Sequence, residues 1–243
     1  MNAKQHSFQK SIVLHLLPGA VGTLVYILIA PSLLESGYPA MLGILIAAAA
    51  VILPIELGYL FYQAGKINGN FSLEGIVHYR EALPKWQYVV FPLVLVVWGF
   101  LATGITPLMD NLILKAWFSW LPEWFLIFDL SQFESYGRPA LVLTFLVGLI
   151  VNGFALPIVE ELYFRGHLLP GLERFGKWAL LINMSLFSLY HFWTPWQVIS
   201  RIILVLPWVY VAWRKRNIYL IIITHCTANT LGWLLTWGLI LGQ

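Results

Sequence analysis

The chain has 243 residues, of which 60% are hydrophobic and only 10% charged, against roughly 25% charged in an ordinary soluble domain. Its single cysteine, Cys226, excludes an intrachain disulfide framework and a Cys-rich metal site. The net charge of +3 is dispersed between apolar runs, so it makes no concentrated patch for nucleic acid.

Apolar stretches of about 20 residues recur along the whole length, the pattern of an all-α, polytopic helical membrane protein. The first follows a short basic lead (Lys4, Lys10) and continues through Ile29 without a small-residue cleavage site, so it reads as a retained span. Seven spans are expected, at roughly 11–30, 39–62, 86–106, 139–159, 177–193, 196–213 and 217–240, or eight if one odd segment also crosses. Eleven of the fourteen basic residues then fall on one side, leaving Lys115 and Arg138 opposite and Arg201 inside a span. The positive-inside rule makes that side cytoplasmic, with the N-terminus in and the C-terminus out. The odd segment, "LILKAWFSWLPEWFLIFDLSQF", lies on the other side and is broken by Pro122. It reads as an interfacial anchor, with Trp117, Trp120 and Trp124 as belt residues at headgroup level. Residues 1–138 hold the first helices and this segment, and 139–243 the remainder of one continuous membrane domain. The short loops and compact size suit a prokaryotic plasma membrane, and oligomeric state is not readable.

Polar residues at membrane depth are costly unless paired or hydrated, which makes them functional candidates. The list is short: His15, Glu56, Glu160, Glu161, Arg165, His191, Arg201, His225 and Asn229. In "VEELYFR", Glu160 and Glu161 stand about 100° apart on a helix, so they cannot serve one spot. Arg165, four residues after Glu161, can neutralise it, leaving Glu160 to face the bundle; alternatively, both glutamates satisfy neighbouring helices. Phe187 and His191, and then His225 and Asn229, each stand at i and i+4. Counted from the basic ends of their spans, Glu160, His191 and His225 come out at roughly 10–20 Å, so three helices can converge on one polar cluster. His15 near Pro18 and Glu56 after Pro54 are expected to satisfy kinked helices, the other reading being a substrate path. Arg201 is expected to snorkel toward the outer rim.

A glutamate with two histidines and an asparagine suits hydrolysis of a carbonyl compound. The carboxylate can act as general base on water, one histidine can orient that water, and the remaining N–H donors can stabilise an oxyanion. No G-x-S-x-G is present for serine chemistry. Glu160, His191 and His225 also form a recognised type of zinc ligand set, although H-E-x-x-H is absent. An ion-coupled transporter would use buried Glu and His as well, but no inverted repeat is visible.

"EELYFRG" (160–166), "FSLYH" (187–191) and "HCTAN" (225–229), in that order and each on its own expected span, resemble the three motifs of the CPBP family of CAAX-protease and bacteriocin-processing intramembrane enzymes. The resemblance covers roughly 139–240. It implies an intramembrane endopeptidase with Glu160 as water-activating base, assisted by His191. It further implies an oxyanion hole of His225 and Asn229, with Glu161 and Arg165 in support. No cofactor is implied by this glutamate version; the older metalloprotease version would place zinc on Glu160, His191 and His225. The partners implied are a peptide substrate reaching the site at membrane depth and the lipid bilayer, with no nucleic acid. A non-catalytic immunity or scaffold protein of the same fold is the alternative.

Overall fold

The computed structural model describes residues 3–242. It contains helices α1 (Phe8–Glu35), α2 (Ala40–Asn68), α3 (Gln87–Ile105), α4 (Pro107–Trp117), α5 (Arg138–Leu168), α6 (Trp178–Tyr190), α7 (Val198–Lys215) and α8 (Tyr219–Leu241). Among the described residues there is no strand, only an isolated backbone bridge between Arg80 and Asn217. The fold is that of a polytopic helical membrane protein. Five elements are long and apolar enough to cross a bilayer: α1, α2, α3, α5, and α7 with the turn that precedes it. Large apolar side chains such as Leu28, Val89, Leu93, Leu235 and Leu239 stand exposed on the outside of the bundle, as a lipid-facing surface requires.

Two of the seven expected spans come out differently. The 177–193 stretch is helical only over the 13 residues of α6, about 20 Å and too short to cross. The 217–240 stretch does form a 23-residue helix, α8, but His225, Asn229 and several threonines dilute its apolarity. The Trp-rich segment forms short α4 followed by two 3-10 turns. Trp117 and Trp120 are exposed, whereas Trp124 packs edge-on against Tyr26 with ring centroids 5.7 Å apart.

Prolines shape the two longest helices. A proline lacks the N–H that the preceding turn needs, and its ring crowds the carbonyl four residues back. In both helices a wide π-type turn absorbs the conflict just upstream: Ala48–Ile52 before Pro54, and Val151–Ala155 before Pro157. The last eight residues of α5, Glu161–Leu168, are again wide. Such turns are uncommon and concentrate at functional sites; here they carry Glu161 and Arg165. At the basic end, the loop after α2 runs under α5 and α8. The amide of His78 donates to the Gly166 carbonyl at 2.7 Å, and that of Ile218 to the Tyr79 carbonyl at 2.8 Å. Gly19 lets α1 close onto the end of α6, since a Cβ there would meet the Tyr190 carbonyl at 1.9 Å.

Candidate active site

Glu160 ends the regular turn of α5 that follows Pro157 and is 2% exposed. Glu161 and Arg165 begin and fill the wide turn beyond it, both fully buried, with the guanidinium 3.4 Å from the carboxylate. The Arg165 guanidinium also sits 3.8 Å from the centre of the Phe187 ring, so a cation–π contact completes its neutralisation. Phe187 has a second part to play, because its carbonyl accepts from His191 Nδ1 at 2.9 Å. One residue of α6 thereby ties Arg165 to His191.

His191 is not on a helix face. α6 stops at Tyr190, and His191 takes a non-helical conformation (φ −81°, ψ 61°) at the head of the turn into α7. The interruption is built into "HFWTP": in a continuing helix Pro195 would have no N–H for the His191 carbonyl and its ring would crowd it, and Thr194 before the proline is itself non-helical. With Nδ1–H donating to Phe187, the other ring nitrogen is left as an acceptor. His225, on α8, is held in a complementary way. Its Nδ1 lies 2.9 Å from Glu161 Oε1, and its Nε2 lies 3.9 Å from Glu160 Oε2. Glu161 thus joins Arg165 to His225, while Glu160 keeps Oε1 without a protein partner among the described residues. Asn229, one turn further along α8, donates Nδ2–H to the Asn152 carbonyl at 3.0 Å. That carbonyl belongs to the first wide turn of α5, where the backbone is open to side-chain bonding.

These residues share a space. A cavity of about 290 Å³ is lined by Glu160, His191, His225 and Asn229 together with Asn152 and Arg201. It is buried within the bundle, with Glu160 8 residues, about 12 Å at 1.5 Å per residue, from the Leu168 end of α5. All four residues named for chemistry from the sequence are therefore brought together, and Glu161 with Arg165 stand behind them.

Three polar residues emerge here with more weight than sequence reasoning gave them. Glu56 does not satisfy a kinked helix. Pro54 is accommodated by the wide turn instead, and both Glu56 oxygens are fully buried with no hydrogen-bond partner among the described residues. The Tyr190 hydroxyl approaches Glu56 and Glu160 without a well-formed bond to either. Arg201 does not snorkel: Nη2 donates to Thr194 Oγ1 at 2.9 Å and to Gln197 Oε1 at 3.2 Å, which draws the guanidinium inward to the cavity. By contrast, His15 is spent on structure, donating from Nδ1 to the Ser11 carbonyl at 2.7 Å and accepting from Asn183 at 3.0 Å. Ser188 is likewise occupied, bonded to the Met184 carbonyl.

Among the described residues no three His, Cys, Asp or Glu side chains gather closely enough to hold a metal ion.

Residues 142–231 match the family described as type II CAAX prenyl endopeptidase Rce1-like. That stretch is similar to an Rce1-like domain. It begins early in α5 and ends in α8 just after Asn229, so it holds all three motifs and every helix that lines the back of the cavity. No curated protein and no solved structure matches the chain. The family match covers well under half of the chain; with the long apolar helices it supports, in general terms, a CAAX-protease-like endopeptidase set in a membrane.

Proposed function

We propose that the chain cleaves a peptide bond within the membrane by a glutamate-activated water, with no metal in the reaction. One observation carries the reading: Glu160, His191, His225 and Asn229 come from three separate parts of the chain and line one cavity, and Glu160 keeps an oxygen free of protein partners.

The roles follow from which atoms are already committed. Glu160 accepts a proton from water as the water oxygen bonds to the carbonyl carbon. His191 can accept from the water's second hydrogen, since its Nδ1–H is held by Phe187, and this aims the lone pair. The oxyanion that forms meets N–H donors: the second amide hydrogen of Asn229, whose first is locked on Asn152, and His225 Nε2. A neutral His225 that donates to Glu161 has no hydrogen on Nε2. Its oxyanion role therefore requires a ring that carries hydrogens on both nitrogens, one toward Glu161 and one toward the cavity. Collapse breaks the C–N bond, and the proton held by Glu160 passes to the departing amine. Aligned donors in a closed site are commonly the largest contribution to such catalysis.

The test uses purified full-length protein and a mass-spectrometric readout of peptide cleavage. Glu160→Gln should remove cleavage by about 10²–10⁴-fold, the usual worth of a positioned general base, while 1,10-phenanthroline leaves the wild type unchanged. Cleavage that disappears with chelator and returns with zinc would replace this reading by the zinc one. No cleavage by the wild type, with its biological function retained after neutral replacement of all four residues, would leave a scaffold or immunity role.

A further inference from the structure

A second cavity, about 550 Å³, adjoins the first on the side away from the basic end and is bounded by α3, α4 and the start of α7. The two share Thr103, Phe128, Arg201 and Leu204 as lining. Arg201 thus stands in the wall common to both, and a chain threaded from the outer cavity to Glu160 would pass its guanidinium.

The placement of this charge is costly on three counts. Arg201 lies 14 residues up α7 from Lys215, about 20 Å along the axis and therefore at lipid depth. It sits in the first turn of α7, where the helix dipole disfavours a cation. It also has no carboxylate within ion-pair distance among the described residues. Asp110, which shares the outer cavity, is taken up by the Ser200 hydroxyl. What holds Arg201 is neutral: Thr194 Oγ1, Gln197 Oε1, and the Ser188 carbonyl at 3.5 Å from Nη1. A guanidinium has five N–H donors in a fixed fork. These bonds use three, leaving Nε–H and one Nη1–H for a group in the cavity. A cation whose direct partners are all neutral, with Glu160 and Asp110 acting on it only from beyond ion-pair distance, and with two donors free beside a peptide-sized space, is suited to an incoming anion. A fork of that kind pairs best with a carboxylate.

We propose that Arg201 is an anion-binding subsite of this cavity, taking a carboxylate of the substrate peptide while the bond to be cut lies at Glu160. The inference rests on the protease reading above. The carboxylate can be the free C-terminus or an acidic side chain, and the experiment separates them.

Full-length protein in nanodiscs is given quenched-fluorescence peptide libraries of random apolar sequence in three forms: free C-terminal acid, C-terminal amide, and C-terminal amide with one internal Glu. The wild type should cleave one of the two anionic forms with a kcat/KM at least about tenfold above the neutral amide form, the size expected for a desolvated charge contact. The preferred form identifies the source of the carboxylate. In Arg201→Gln the ratio should fall to within about twofold of one, and the loss should lie mainly in KM. Arg201→Lys should keep part of the preference, because it retains the charge but not the fork. Equal cleavage of all three forms by the wild type overturns the subsite, as does an unchanged ratio in a folded Arg201→Gln. The wild-type comparison decides the first point even if that variant does not fold, and Arg201→Lys then decides the second. If the wild type cleaves none of the forms, the protease reading fails and the subsite falls with it.

Discussion

Two buried polar clusters lie side by side, share α5 and α6, and differ in how far their polar atoms are satisfied, Asn183 Oδ1 being unpartnered among the described residues in the first. One joins α1, α5 and α6. His15 uses both ring nitrogens, and Asn183 Nδ2 bonds His15 and also the Phe164 carbonyl at 3.0 Å. The other joins α2, α5, α6 and α8 and leaves Glu160 Oε1, both Glu56 oxygens and the Tyr190 hydroxyl without partners among the described residues. An unsatisfied buried polar group costs about 1–3 kcal/mol, and a fold has no structural reason to keep several together. The difference separates polar groups that hold helices in place from polar groups kept ready for something that enters.

Between the two sits the Glu161, Arg165 and His225 network, and breaking it should have the largest effect. Arg165→Met leaves Glu161 buried against His225 without its cation. Removing one partner of a buried ion pair typically costs about 3–5 kcal/mol. The variant should therefore show a large drop in melting temperature, and any folded fraction should be inactive. An Arg165→Met protein that melts like the wild type would mean that the pair does not hold the site together.

Asn183→Ala should cost about 1–3 kcal/mol by orphaning His15 Nε2, measured by thermal unfolding in detergent. The turnover of the folded protein should stay close to wild type. A variant of normal stability and lowered turnover would move this cluster into the functional half of the comparison.

Glu56→Gln and Tyr190→Phe should behave the other way round. Removing a buried carboxyl or hydroxyl that has no partner should leave the melting temperature unchanged or slightly raised, while turnover falls several-fold because the groups flanking Glu160 have changed. Loss of stability with unchanged turnover would reassign both residues to the scaffold.

The smallest effect is expected at the basic end. His6 is packed on Gly171, with its ring 5.6 Å from that of His167. Burial, and then the nearby His167 and lysines, pull its pKa from 6.5 to about 4. A histidine with a lowered folded pKa takes its proton more readily when unfolded, so stability is lost as the pH falls from about 6.5 toward 4. The wild type should therefore melt lower at pH 5 than at pH 7, and His6→Phe should reduce that difference. An undiminished pH dependence in His6→Phe would place its origin elsewhere.

Much of this was legible in residue spacing, and what was missed has physical causes. Motif order and i, i+4 spacing picked out Glu160, Glu161, Arg165, His191, His225 and Asn229 as a group; of their contacts only Glu161 with Arg165 and His191 with Phe187 lie four residues apart, and the rest cross between elements. Glu56 and Arg201 depend on how α2 and α7 are rotated against α5 and α6. Wide turns also alter the 100° step on which such rotations are counted. Tyr190 looks like any aromatic in a span. Asn152 did leave a signal, a lone amide within the apolar run of α5. The stop of α6 at His191 was equally visible in the proline of "HFWTP". A hydropathy window averages across such a break, so 177–193 read as continuous.

The most direct measurement sets the two clusters against each other. Cleavage rate and melting temperature are recorded for Glu160→Gln and Asn183→Ala in the same preparation. The account predicts that Glu160→Gln loses at least about 100-fold in rate at an unchanged melting temperature, and that Asn183→Ala does the reverse. A Glu160→Gln protein that cleaves at the wild-type rate would contradict it.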